Sequence, residues 1–274
     1  MISSRATSFS VRLAIFCGSL GLFILVWEIA SIRTGNSLIL AGPVSVLQAL
    51  GGLLQNHLPH GVQGLQGADA AILQTLATIV FGFSLGCIVG IPVGVIMGRW
   101  KAAEAVIDPW ISAAYSIPIV VLIPMLYFAI GADFLAEVFV TFLLTVFTVI
   151  LNTHNGVKYV SNSLAEVGRS FGASETQFLE KIVLPAALPD IVSGMRIGMG
   201  RAILGAVLAE VLMSQNGLGG MMFIFQDVLN TPYMMAAVFL IALMGVAVLQ
   251  LPKILEHRLF KWKETESISR GVRT

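Results

Sequence analysis

Long uncharged stretches alternate with short polar ones along the whole chain. A helix crossing the hydrocarbon of a bilayer needs about 20 mostly apolar residues, and six segments supply that length. Leu13–Ala30 is the first, with Glu28 near its far end, and Leu76–Met97 is the second, without any charge. Trp110–Ile130 and Phe134–Leu151 follow, the latter with Glu137 in its first turn. Ile191–Met213 is the least lipid-like, because it holds Arg196, Arg201 and Glu210; Tyr233–Leu251 is the sixth. Gly42–Leu54 is too short and too polar to add a seventh. The pattern predicts an all-α polytopic membrane protein with spans near 13–32, 74–98, 108–130, 134–152, 190–213 and 233–252. A short N-terminal segment (1–12) and a polar tail (255–274) flank a single membrane domain, 13–254.

Composition agrees and removes several classes of function. The 274 residues are 57% hydrophobic and 11% charged, against about 25% charged in an ordinary soluble domain. A net charge of +1 offers no basic footprint for nucleic acid. Cys17 and Cys87 lie in apolar runs and read as inert thiols, and His57 and His60 lack the further ligands a metal site needs. No G-x-x-x-x-G-K-[ST] phosphate loop is present, nor a Ser-His-Asp set. Gly217-Leu218-Gly219-Gly220 reads as a turn after the fifth span. No catalytic, cofactor or metal site is therefore expected. Arg5 and Arg12 before the first apolar run resemble a signal peptide. The run exceeds the usual 7–15 residue core of such peptides, however, and no small-x-small cleavage site precedes Glu28, so an uncleaved anchor is expected.

Lys and Arg gather in cytoplasmic loops. With the N-terminus in the cytoplasm, every basic residue outside the spans except Arg33 falls on that side, while Asp69, Asp133 and Asp227 fall on the other. Both termini and the long polar loop 163–185 are thus expected in the cytoplasm.

The second span repeats glycine every four residues, at Gly82, Gly86, Gly90, Gly94 and Gly98. That spacing puts all five on one helix face, where small side chains allow another helix to approach closely. Pro92 in the same span is expected to kink it. The fifth span echoes the theme with Gly194, Gly198, Gly200 and Gly205. Charges within a span cost about 2.5–3.5 kcal/mol each on insertion scales. Arg196 and Arg201 read either as snorkelling to the cytoplasmic headgroups or as serving transport, and Glu210 is expected near the outer end of its span.

The loop itself is the richest segment. Ser163 and Glu166 have the S-x-x-E spacing of a capping box, and Ser174 with Gln177 repeats it. Gly172 between them is placed to end the first short helix in a left-handed conformation. Pro185 and Pro189 should break the helix before the fifth span.

These residues also carry a resemblance. Glu166-Val167-Gly168, then Gly172 after three intervening residues, and Ile182-x-Leu184-Pro185 after a further nine resemble the EAA-loop spacing of permease subunits of binding-protein-dependent ABC importers. Val167 and Gly168 stand where the family has alanines. Ala41-Gly42-Pro43-x-x-Val46-Leu47, Gly90-Ile91-Pro92-x-Gly94, Asp108-Pro109 and Gly217-Leu218-Gly219 are similar to the nitrate, sulfonate and taurine branch, so the likeness runs from about Leu40 to Phe260.

The resemblance implies a type I importer permease fold whose loop docks on a cytoplasmic ATPase through Glu166, Val167, Gly168, Gly172, Ala173, Ile182, Leu184 and Pro185. It implies a second, identical permease copy, an extracytoplasmic solute-binding protein and a bacterial inner membrane, with ATP hydrolysis on the separate ATPase subunit. The branch handles small anions, and also some pyrimidine precursors and aromatic acids. A secondary transporter driven by an ion gradient would equally have six spans, but such proteins commonly show internal repeats, and none is visible here.

Overall fold

The computed structural model describes residues 3–57, 59, 67–131, 133–160, 170–214 and 216–250, with side chains from Val11 onward except those of Arg12, Leu13 and Ser214. All regular structure among the described residues is helical: α1 (Ser3–Thr34), α2 (Pro43–Leu54), α3 (Ala68–Arg99), α4 (Lys101–Ser116), α5 (Ile119–Ile130), α6 (Phe134–Lys158), α7 (Glu175–Phe178), α8 (Leu184–Ala209), α9 (Gly217–Asp227) and α10 (Thr231–Val248). Two π-helical segments, Leu179–Val183 and Glu210–Ser214, extend α8 at its two ends. Five helices are long and apolar enough to cross a membrane: Ala14–Thr34, α3, α6, Glu175–Met213 and α10. The α4–α5 pair makes a sixth if its two bent halves count as one span. Pro43–Leu54 is apolar but only 12 residues long, too short to cross.

α6 is the axis of the bundle. On one side the glycines of α3 meet a stripe of α6 side chains with the same four-residue spacing. A Cβ on Gly86 would lie 2.6 Å from Thr145 Cγ2, on Gly90 2.9 Å from Val149 Cβ, on Gly94 2.6 Å from Thr153 Cβ and on Gly98 2.6 Å from Val157 Cβ. Gly82 faces Thr141 in the same way, with the Thr141 Cβ 2.5 Å from where its own would be. Real Cβ contacts are not this short, so any larger residue would push the helices apart. α8 packs on another side of α6 by the same device, Gly194 against Asn152 and Gly205 against Thr141. Thr141 and Thr145 turn their hydroxyls back to Glu137 O at 2.9 Å and Thr141 O at 2.7 Å. They therefore present only methyl surface to the glycines.

A second core gathers α2, α3, α8, α9 and α10 around Leu53, Ile79, Leu218, Met221 and Phe225, all essentially inaccessible. The apolar stretch of α1 stands largely outside the bundle, its side chains exposed from Ala14 to Val26. It is tied at its far end, where the Trp27 indole N–H donates to Ala41 O at 3.0 Å and the ring stacks on Phe239.

Three expectations about helix breaks are corrected. The third span is not one helix: α4 and α5 meet at 92°. Pro118 is the physical cause, since it bars the preceding residue from helical geometry, and Ile117 is extended at φ −76°, ψ 126°. Pro185 and Pro189, by contrast, do not end a helix. The turn before Pro185 widens into a π-helix in which the Leu184 N–H reaches Leu179 O, which makes room for a ring without a donor. Glu175–Met213 consequently runs as one 39-residue helix. Gly217–Gly220, read as a turn, is instead the buried first turn of α9.

Candidate functional site

Three polar regions stand out, the first where residues 170–185 meet the ends of α3 and α6, the other two inside the bundle. At the first, Gly172 has φ +68° with open space around its missing Cβ, so its backbone conformation rather than crowding demands glycine. Ser174 caps α7 reciprocally: its hydroxyl accepts from Gln177 N at 3.3 Å while Gln177 Oε1 accepts from Ser174 N at 3.1 Å. α7 is anchored to the end of α3 by an Arg99–Glu175 ion pair. The Arg99 guanidinium also lies 5.5 Å from the centroid of the Phe178 ring. Beneath this knob Val157, Val183, Ala187 and Ile191 form a small core against which Phe178 and Leu179 pack. Glu104 bridges His154 at 3.2 Å and Lys158 at 2.5 Å, tying α4 to the same end of α6.

Of the loop residues singled out in the sequence, Gly172 is exposed and Ala173, Ile182, Leu184 and Pro185 are half-buried. Phe171 beside Gly172 is 87% exposed. Glu166, Val167 and Gly168 lie outside the described residues, as do Ser163 and the tail 255–274.

The second region is a cavity of about 330 Å³ at the α4–α5 break. It is lined by Tyr115, Ile117–Val120 of the break, Leu144, Phe147 and Thr148 of α6, and Arg201 and Leu204 of α8. Arg201 is exposed and lines this space. Arg196 is half-buried and has a partner.

Sequence reasoning missed the third polar feature. Glu210, expected at a wet surface, is fully buried. Its Oε2 accepts from Gly219 N at 2.8 Å, and Thr75 Oγ1 accepts from Leu218 N at 3.0 Å. Two of the orphan amides that begin α9 are thus satisfied by neighbouring helices, and the carboxylate faces the positive end of the helix dipole. Glu137 is buried alongside, accepting from Thr78 Oγ1 at 3.0 Å and Gln74 Nε2 at 3.4 Å. A lone glutamate seven residues before a G-x-G-G run was the available signal.

Comparison with known proteins places this geometry. Residues 90–261 match the family described as "Binding-protein-dependent transport system inner membrane component". A probable ABC transporter permease protein of Brucella abortus is 30% identical over 96% of this chain and 99% of its own. The putative aliphatic sulfonates transport permease protein of Bacillus subtilis is 28% identical over 88% of this chain and 85% of its own. The bicarbonate transport system permease protein of Synechococcus elongatus is 30% identical over 86% and 84%. Among solved structures, the MetNI methionine ABC transporter in inward facing conformations superposes with a TM-score of 0.61 at 18% identity, covering 69% of this chain and 94% of that one. An amino acid ABC transporter gives 0.57 at 17% identity, over 78% and 97%. The chain is a multi-pass membrane protein of the binding-protein-dependent transport family, a permease subunit of an ABC importer.

Proposed function

We propose that two copies of this chain form the transmembrane pathway of an ATP-driven importer for a small anion, with both termini and the 163–185 loop in the cytoplasm. The knob at Phe171–Phe178 docks on a separate ATPase subunit, and an extracytoplasmic binding protein delivers the solute. The observation that carries the reading is the mechanical connection of the knob. A rigid cap at Ser174 joins it without a break to the 39-residue helix Glu175–Met213, and Arg99 couples it to α3. Movement of the knob by a closing ATPase dimer would therefore be transmitted to the two helices that flank α6. ATP on one side and loaded binding protein on the other would bias one two-state equilibrium. The anionic solute class is supported by the sulfonate and bicarbonate permeases among the relatives. The positive-inside distribution of Lys and Arg supports the orientation.

Reconstitution tests this directly. Proteoliposomes holding the chain with its ATPase should accumulate solute only with ATP and binding protein present. Uptake by the purified chain alone would overturn the proposal in favour of a gradient-driven carrier.

A further inference from the structure

We infer that the cavity at the α4–α5 break is an anion-contact site within the pathway, with Arg201 as its charged ligand. The inference rests on the importer reading and adds to it the residues that would meet the solute. Arg201 lies 12 residues before Met213 and Ile119 lies 11 before Ile130. At about 1.5 Å per residue each is roughly 17–18 Å inside its helix end, near the middle of a hydrocarbon layer of about 30 Å. A guanidinium at that depth faces a bundle interior or a watery cavity, and it is too far in for headgroup phosphates. Among the described residues Arg201 has no ion-pair or hydrogen-bond partner.

Two further features point into the same space. Ile119 and Val120, the first residues of α5, line the cavity, and no side chain caps that helix start. Their amides therefore have no partner within the helix, and the positive end of the α5 dipole falls there. Thr148, 5% exposed and also lining the cavity, has a buried hydroxyl without a hydrogen-bond partner, whereas Thr141 and Thr145 on the same helix are satisfied. A broken span whose half-helix begins in mid-membrane is a known device for holding anionic groups. The forked donors of arginine suit the paired oxygens of a carboxylate, sulfonate or bicarbonate. A volume near 330 Å³ admits a small organic or inorganic anion.

The test uses the reconstituted complex with Cys17→Ser and Cys87→Ala, and a single reporter, Leu204→Cys, one turn from Arg201 on the cavity wall. Two thiol reagents of similar size serve as probes, an anionic sulfonatoethyl and a cationic trimethylammonioethyl methanethiosulfonate. Relative to their rates on free cysteine, the anionic reagent should be favoured roughly tenfold, as expected for a focused positive field. Adding Arg201→Gln should erase that preference, and Arg201→Lys should retain it. Equal rates, no reaction with either reagent, or a preference that survives Arg201→Gln would overturn the assignment. The last outcome would mean that the field comes from elsewhere, and equal rates that Arg201 is neutralised by a second copy of the chain. ATP hydrolysis by the complex that holds the Cys17→Ser, Cys87→Ala chain, stimulated by loaded binding protein, separately monitors the importer reading. Absence of stimulation sinks that reading, whereas stimulation with charge-blind labelling sinks the cavity assignment alone.

Discussion

Glu210 holds the amide of Gly219 at 2.8 Å in a fully buried setting, so the end of one membrane helix caps the start of the next. No larger residue fits at Gly219, where a Cβ would meet Val207 O at 2.7 Å. Gly217, at φ +66°, sets the sharp turn that brings α9 back onto the carboxylate. The pair fixes where α9 packs against α3, and with it the buried cluster around Leu218, Met221 and Phe225.

Removing that acceptor should be costly. Glu210→Ala leaves a buried amide unsatisfied, at about 1–3 kcal/mol, and should lower the thermal unfolding temperature of the purified chain in detergent. Glu210→Gln keeps an acceptor of the same shape and should lose less. Equal losses in the two variants would mean that the carboxylate's charge at the α9 start, not a neutral acceptor or side-chain volume, is what matters.

The glycine face of α3 can be tested against an internal control. Gly94→Ala forces a methyl to within 2.7 Å of Ile150 O, and overpacking of this kind costs about 1–3 kcal/mol. Gly51 sits inside α2 with nothing within 4 Å of its would-be Cβ, so Gly51→Ala should be neutral or stabilise by about 0.5–1 kcal/mol. Thermal unfolding of both variants side by side gives the answer. A destabilising Gly51→Ala with a silent Gly94→Ala would contradict the packing described above.

Gly172 separates shape from contact. Gly172→Val should leave membrane insertion unchanged but weaken co-purification with the ATPase, because a β-branched residue resists φ > 0. Gly172→Asn, which tolerates the left-handed region, should retain most of the binding. Normal ATPase capture and normal uptake by the valine variant would remove conformation as the reason for glycine there.

Arg99→Ala probes transmission rather than stability. An exposed ion pair such as Arg99–Glu175 contributes about 0–1 kcal/mol, so unfolding should barely shift. Uptake per ATP hydrolysed should nevertheless fall, because α7 loses both its ion pair and its cation–ring contact to α3. A variant with unaltered coupling would show that the knob drives the bundle through the continuous helix alone.

Much of this architecture is legible along the chain, for definite reasons. The apolar runs of about 20 residues had to become helices, since a segment of that length satisfies its own backbone in lipid through intrahelical hydrogen bonds. The four-residue glycine spacing and the Ser174–Gln177 cap depend on neighbours within one or two turns, so local sequence carries them. Gly172 was identifiable because its neighbours on both sides carry helix-start signals. The prolines were harder, as the same residue can end a helix or sit in one. Pro118 breaks its span while Pro185 does not, and the difference lies in a π-turn that no local preference announces.

By itself, then, the sequence determined the apolar helices and the cap at Ser174, because lipid and hydrogen bonding act on each segment separately. The tertiary structure alone decided what those segments do to one another. Burial of Glu210 under α9, the 92° break at Pro118, and the convergence of Arg201, Thr148 and the α5 start on one cavity all join residues far apart in the chain. Their energies come from desolvation and close packing between helices, which depend on where distant segments meet.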